Sequence, residues 1–155
     1  MTMQQLLWQG VQELNKAQVP DPELDARYLL LEVFHLSLAS FLAMKGREMP
    51  PDEGTVERCR EFMKLIEIRA GRTPLQHLTG TQEFMGFEFL VNQHVLIPRQ
   101  DTETLVELVL EEQTDREKSI LDMCTGSGCI AISLALMGRY RHVAALDVSA
   151  EALKV

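Results

Sequence analysis

Cysteine is scarce in this chain of 155 residues. Cys59, Cys124 and Cys129 form an odd, sparse set without a Cys-x-x-Cys pair, which excludes a disulfide framework and a closed zinc site. His35, His77, His94 and His142 are scattered without ligand spacing, so no metal centre is expected. Long apolar runs are missing as well. The stretch from Ile130 to Met137 falls far short of the roughly 20 residues that cross a bilayer. Met1 to Gly10 lacks the charged-then-apolar order of a secretion signal, so a cytoplasmic location without a membrane partner is expected. Nor is there an excess of positive charge: 15 Lys and Arg face 23 Asp and Glu, a net −8, and residues 81–155 alone hold 6 basic against 12 acidic side chains. Such a surface repels phosphate backbones, and direct sequence-specific nucleic-acid binding is not expected. One locally basic stretch, Arg58, Arg60, Lys64, Arg69 and Arg72, is interleaved with Glu57, Glu61 and Glu67 and reads as a solvated helix face.

With 46% apolar and 25% charged residues the composition is globular. Residues 1 to about 72 read as helices. Leu7, Val11 and Leu14 recur at helical spacing until Val19-Pro20, and Asp21-Pro22-Glu23 then supplies an N-cap, a first-turn proline and an acid at the positive helix end. A second helix runs through Leu24, Tyr28 and Leu31, and a short piece spans Leu38 to Ala43. Beyond the break at Gly46 to Pro51, Asp52 opens a long helix with Val56, Cys59, Met63, Ile66 and Ala70 on one side, closed by Gly71. Four helices predict a small bundle, with Cys59 and Met63 in its core.

After Thr73-Pro74 the period changes. Phe87, Phe89 and Val91 alternate with Glu88 and Leu90, which predicts a hairpin with Gly86 at its turn or at a bulge, and Val95-Leu96-Ile97 reads as a short extended piece ending at Pro98. Thr102 is expected to cap a helix carrying Leu105, Val106, Val109 and Leu110. Ser119 to Cys124 then reads as a buried strand, Thr125-Gly126-Ser127-Gly128 as a tight turn, Ile130 to Leu136 as an apolar helix, and His142 to Leu146 as a second strand ending at Asp147. This is one βαβ unit.

A glycine-rich turn between a parallel strand and a helix admits a ligand to the bare backbone, because Gly126 and Gly128 lack a Cβ and reach positive φ. Asp147, 19 residues beyond Gly128, stands where a carboxylate accepts both hydroxyls of a ribose. The combination points to an adenosine-type cofactor. Gly126-x-Gly128-x-x-Ala131 also satisfies the dinucleotide fingerprint, so the spacing leaves the choice open. Asp122, directly before the turn, would repel a pyrophosphate and attract the ammonium and sulfonium of S-adenosylmethionine (SAM), and so favours SAM. A carboxylate there can equally hold loop amides, and Asp147 can cap the segment of Ser149 and Glu151. Cys124 and Cys129, flanking the turn, read as small packing residues.

Four ordered motifs carry a family resemblance: Arg72-Thr73-Pro74-Leu75-Gln76-His77-Leu78-Thr79-Gly80; Phe84-x-Gly86-x-x-Phe89-x-Val91; Val95 through Pro98-Arg99-Gln100-Asp101-Thr102 to Glu103; and Asp122-Met123-Cys124-Thr125-Gly126-Ser127-Gly128. Together they resemble the release-factor glutamine methyltransferases, the HemK or PrmC family. The resemblance implies an α + α/β protein with a helical substrate-recognition bundle (1–72), a linker with a β-hairpin (73–100) and the first part of a Rossmann-like methyltransferase domain (101–155). It implies SAM-dependent N5-methylation of a glutamine in bacterial peptide-chain release factors, with a ribosomal-protein glutamine as an alternative acceptor. By position, Asp122, Cys124, Thr125, Gly126, Ser127 and Gly128 are similar to the cofactor loop, Asp147 to the ribose acid, and Pro98, Arg99 and Thr102 to the segment over the cofactor site. Gln100-Asp101 replaces the Pro-Glu of many members.

The family's substrate-clamping Asn-Pro-Pro-Tyr follows its fourth strand, whereas this sequence contains no Asn-Pro and reaches only its second strand of that domain. An amide nitrogen is a poor nucleophile, and that motif fixes its aim at the methyl group. No catalytic residue is therefore assigned within these 155 residues. They are expected to be inactive alone, a fragment or truncated product with an unpaired sheet edge and an uncovered apolar helix. A dinucleotide-binding oxidoreductase fragment and a catalytically silent binding module are the other readings.

Overall fold

The computed structural model describes all 155 residues, which divide into two compact units, Met1–Thr79 and Gly80–Val155. The chain mixes helices with two small sheets, and no single helix is long and apolar enough to cross a membrane.

The first unit is helical. Helix α1 (Met3–Lys16) starts at a capping box in which Thr2 accepts the Gln5 amide while the Gln5 side chain accepts that of Thr2. Helix α2 (Pro22–Phe34) has Pro22 in its first turn, but Asp21 at the N-cap makes no side-chain cap, so the proline and the acids Glu23 and Asp25 define that start. Ser37 caps α3 (Leu38–Met44), and Asp52 caps α4 (Glu53–Ala70) by accepting the Thr55 amide at 2.7 Å. A five-residue helix α5 (Leu75–Thr79) follows. The core gathers Leu6, Leu14, Leu29, Leu30, Phe62 and Ile66.

Two sequence expectations change here. The buried stripe of α4 runs through Phe62 and Ile66, leaving Cys59 and Met63 partly buried at the core's edge and Val56 exposed. Gly10 of α1 accommodates this face: a Cβ there would stand 2.6 Å from Phe62 Cζ, so the missing side chain lets the Phe62 ring approach α1. The basic stretch is also not wholly a solvated face. Arg69 Nε donates to Asp25 Oδ2 at 2.7 Å and its Nη1 to the Thr73 carbonyl, while Arg72 donates to the carbonyls of Ala17 and Gln18. The solvated reading holds for Arg60, whose ion pair with Glu57 is exposed.

In the second unit, β1 (Thr81–Phe84) and β2 (Phe87–Leu90) form the expected hairpin, antiparallel with Phe84 opposite Phe87. Met85 and Gly86 both take positive φ, 54° and 75°, as a two-residue hairpin turn requires. Phe84 and Phe89 meet edge-on at 6.1 Å over the unit's main core, which also holds Val106, Cys129, Leu134 and Tyr140. The predicted extended piece at Val95 to Ile97 is not a strand; Val95 instead joins Val91 and Ala152 in a separate small cluster. Helix α6 (Gln100–Glu112) begins earlier than expected, with Arg99 at the N-cap and no side-chain cap. Thr102 falls inside the first turn, and the start is fixed by Glu103, whose Oε1 accepts the Met85 amide at 2.6 Å and ties α6 to the hairpin turn. At the other end the Tyr140 hydroxyl donates to the Gln113 carbonyl at 2.8 Å.

Strands β3 (Ser119–Met123) and β4 (His142–Leu146) are parallel, with Asp122 beside Ala145 and Met123 beside Leu146. Helix α7 (Cys129–Ser133) and a π-helical turn (Leu134–Gly138) connect them, so the predicted βαβ unit is present while its helix changes pitch before Leu136. The expectation that β3 is buried is overturned. Leu121 and Met123 are 55% and 69% exposed, because the sheet has two strands and neither neighbouring strands nor helices cover that face. Ile132, Leu136 and Met137 of the connecting helical segment are exposed as well, matching the expected uncovered apolar helix.

Candidate functional site

The site grows from the C-terminal ends of the two parallel strands. Where β3 leaves the sheet, Cys124, Gly126 and Gly128 take φ values of 62°, 58° and 77°, so the backbone reverses in three left-handed steps before α7 begins. Gly128 donates to the Thr125 carbonyl at 2.9 Å and closes the turn. Left-handed backbone suits glycine at two of these steps, whereas Cys124 adopts it with a Cβ.

Two carboxylates organise the bend. Asp122 Oδ2 accepts the Thr125 hydroxyl at 2.6 Å and the Ala131 amide at 3.3 Å, pinning turn and helix to the strand. Asp147 Oδ2 accepts the Gly126 amide at 2.9 Å and its Oδ1 accepts the Ser149 amide at 2.9 Å. The Thr125 amide donates to the Leu146 carbonyl at 3.0 Å, so the register of the parallel pair carries Asp147 to the glycine turn 21 residues earlier. The Ser149 and Gly126 amides hold the Asp147 carboxyl below its ordinary range, and it remains an anion with lone pairs available to hydroxyl donors. Both carboxylates hold backbone amides, a structural role that leaves acceptor capacity on each.

Space lies beside the turn. A Cβ built on Gly126 meets nothing within 4 Å, and the Ser127 Oγ is buried without a partner. Open space against backbone and an anionic acceptor suit a ligand with hydroxyl groups and a face that tolerates close approach.

Asp122, Cys124, Thr125, Gly126, Ser127, Gly128 and Asp147 therefore occupy one connected bend. Pro98, Arg99 and Thr102 belong to the entrance of α6 and make no hydrogen bond to it: Pro98 is buried, Arg99 is exposed, and the Thr102 amide donates to the Arg99 carbonyl. Cys129 packs as expected, and burial foremost pushes its thiol upward. Cys124 does not; it is exposed, because the left-handed step turns it away from the core. Sequence reasoning missed the Thr125–Leu146 link, a backbone contact that leaves no residue-type signal.

Residues 5–80 match the PrmC N-terminal domain. Over its full length the chain is 40% identical to the release factor glutamine methyltransferase of Deinococcus radiodurans, covering 54% of that protein. It is 42% identical, again over its full length, to the enzyme of the same name from Moorella thermoacetica, covering 53% of it. A bifunctional methyltransferase of Rickettsia typhi is 35% identical over 99% of this chain and 32% of its own length. The chain thus spans about half the length of the release factor glutamine methyltransferases it matches.

Proposed function

We propose, from the match of residues 5–80 to the PrmC N-terminal domain and the 40–42% identity to release factor glutamine methyltransferases over the full chain, that it serves SAM-dependent N5-methylation of a glutamine side chain in bacterial peptide-chain release factors. In this reading residues 1–72 recognise the protein substrate, 73–100 link, and 101–155 begin a Rossmann-like, class I methyltransferase domain that works in the cytoplasm. The observation that carries it is the hydrogen bond from the Gly126 amide to Asp147, which sets a carboxylate beside the open space at Gly126.

SAM, when bound, supplies an electrophilic methyl group on a sulfonium. Asp147 would accept the ribose hydroxyls with the lone pairs that the Gly126 and Ser149 amides leave free. Gly126 would leave room for the nucleoside against the backbone. Asp122, fixed by Thr125 and Ala131, puts negative charge at the strand end and favours a cation there over a pyrophosphate. In this reading Pro98, Arg99 and Thr102, at the start of α6, belong to the segment that packs over the cofactor. The sequence holds no Asn-Pro, so aiming the amide nitrogen is assigned to none of its residues, and the 155 residues alone are inactive in this reading.

Isothermal titration against SAM and, separately, NAD tests the proposal. SAM is expected to bind and NAD not to. Asp147→Ala is expected to weaken SAM by about 1.5–3 kcal/mol, on the order of ten- to a hundred-fold. Binding of NAD in preference to SAM would move the chain to the oxidoreductase class.

A further inference from the structure

The hairpin of β1 and β2 depends on its neighbours. Two strands of four residues each hold little order in water unless a helix covers them, and α6 is that helix. The attachment has an apolar and a polar part. Phe84 and Phe89 share a buried cluster with Val106, and Glu103, one turn earlier on the same face of α6, accepts the Met85 amide. At 2.6 Å this is a charge-assisted bond from a first-turn carboxylate to a backbone N–H that lies outside the strand ladder. No other hydrogen bond joins the hairpin to α6.

The same hairpin borders the glycine turn. Phe87 and Phe89 of β2 line a groove of about 350 Å³ together with Ser127 of the turn and Ile132 of α7. Cys129, the first residue of α7 after the turn, is buried in the cluster that holds Phe84, Phe89 and Val106. Glu103, the hairpin and the start of α7 therefore form one packed path, and a hairpin that leaves α6 takes with it a wall of the groove at Ser127.

We propose that Glu103 is a positioning residue: by holding the hairpin turn on α6 it sets the hairpin wall beside the glycine turn, so that cofactor occupancy and hairpin order stabilise each other. This rests on the function proposed above and assigns Glu103 a part in it without contact to the cofactor. Linkage makes the effect reciprocal, so it is measurable from either end.

Carbon-13 labelling of the methionine methyl groups reports both ends at once. Met123 ends β3 just before the glycine turn and Met85 sits in the hairpin turn, and Met123→Leu and Met85→Leu assign their resonances. SAM is titrated into the labelled protein. In the parent both resonances are expected to move with the same apparent Kd. Glu103→Ala is expected to bind SAM about fivefold or more weakly, the lower range of coupling between two sites, and to leave the Met85 resonance still when that of Met123 has reached its end point. Glu103→Gln keeps an acceptor of the same length and is expected to recover part of both effects, with circular dichroism checking the fold of each variant. If Glu103→Ala unfolds, the Met85 response of the parent and its partial loss in Glu103→Gln decide the matter. A Met85 resonance that stays still in the parent while Met123 moves, one that moves equally in Glu103→Ala, or normal SAM affinity in that variant overturns the positioning role and leaves the proposed function standing. SAM that moves neither resonance overturns both.

Discussion

The Thr125 hydroxyl donates to Asp122 Oδ2 across 2.6 Å, while the amide of the same threonine donates to the Leu146 carbonyl. One buried residue thereby links the end of β3, the glycine turn and the residue preceding Asp147. Thr125→Val keeps the shape and removes the hydroxyl, which is expected to cost about 2 kcal/mol, the range of a hydrogen bond to a charged group. Thr125→Ser is expected to restore most of it. Urea unfolding of the second unit, with SAM affinity measured in parallel, checks this; equal stability of Val and wild-type proteins would remove Thr125 as a brace.

Asp147 gives the turn a pH dependence. Its carboxyl lies below the ordinary range because the Ser149 and Gly126 amides favour the anion. A depressed folded-state value contributes stability that is complete above the unfolded value of about 3.9 and is lost as pH falls through the folded one. The Gly126 and Ser149 amide resonances are therefore expected to hold steady from neutral pH down to about 4 and to move together below it. Asp147→Asn should abolish that titration.

In the helical unit the Asp25–Arg69 pair, 8% and 14% exposed at the side chains, joins α2 to α4. Removing one partner leaves a buried charge uncompensated, so Asp25→Ala or Arg69→Ala is expected to cost about 3–5 kcal/mol. Asp25→Leu combined with Arg69→Met is expected to recover most of that loss. Guanidinium unfolding followed by far-ultraviolet circular dichroism separates the three variants.

Gly10 offers a test of close packing. Alanine normally gains about 1 kcal/mol over glycine inside a helix. Here its Cβ would fall 2.6 Å from Phe62 Cζ and 3.0 Å from Ile66 Cδ1. Overpacking of this kind typically costs about 1–3 kcal/mol, so Gly10→Ala is expected to lower the melting temperature despite the better helix residue. Pairing it with Phe62→Leu should return part of the loss.

Local signals of residue type were legible in the sequence, and contacts between elements were not. The Asp52 cap, the Met85-Gly86 turn and the order of strand, glycine turn, helix and strand follow from short-range chemistry and appear as expected. The buried face of α4 was misjudged because Phe62 packs against Gly10, 52 residues earlier, a contact that the local pattern does not show. Arg69 read as a solvent charge because Asp25, its partner, lies 44 residues away. The start of α6 moved for a similar reason: Glu103 reaches the Met85 amide, and Thr102 has no cap to form. At the bend, glycines and acids marked the place, whereas the backbone link from Thr125 to Leu146 had no residue signature.

Gly126 separates a binding role from a structural one more sharply than any neighbour. Gly128 is crowded, its built Cβ standing 3.1 Å from Ile132 Cδ1, so substitution there disturbs the fold as well as the turn. At Gly126 a built Cβ meets nothing, and the penalty is the left-handed backbone at φ +58°, worth about 1–2 kcal/mol for a residue with a Cβ. Gly126→Ala should therefore fold, with a melting temperature a few degrees lower, while its methyl group occupies the space assigned to the nucleoside. Calorimetry is expected to show SAM affinity reduced on the order of a hundredfold, about 2.7 kcal/mol, more than the stability loss explains. A variant that unfolds no more easily and binds SAM as tightly as the parent would show that the nucleoside does not approach this turn.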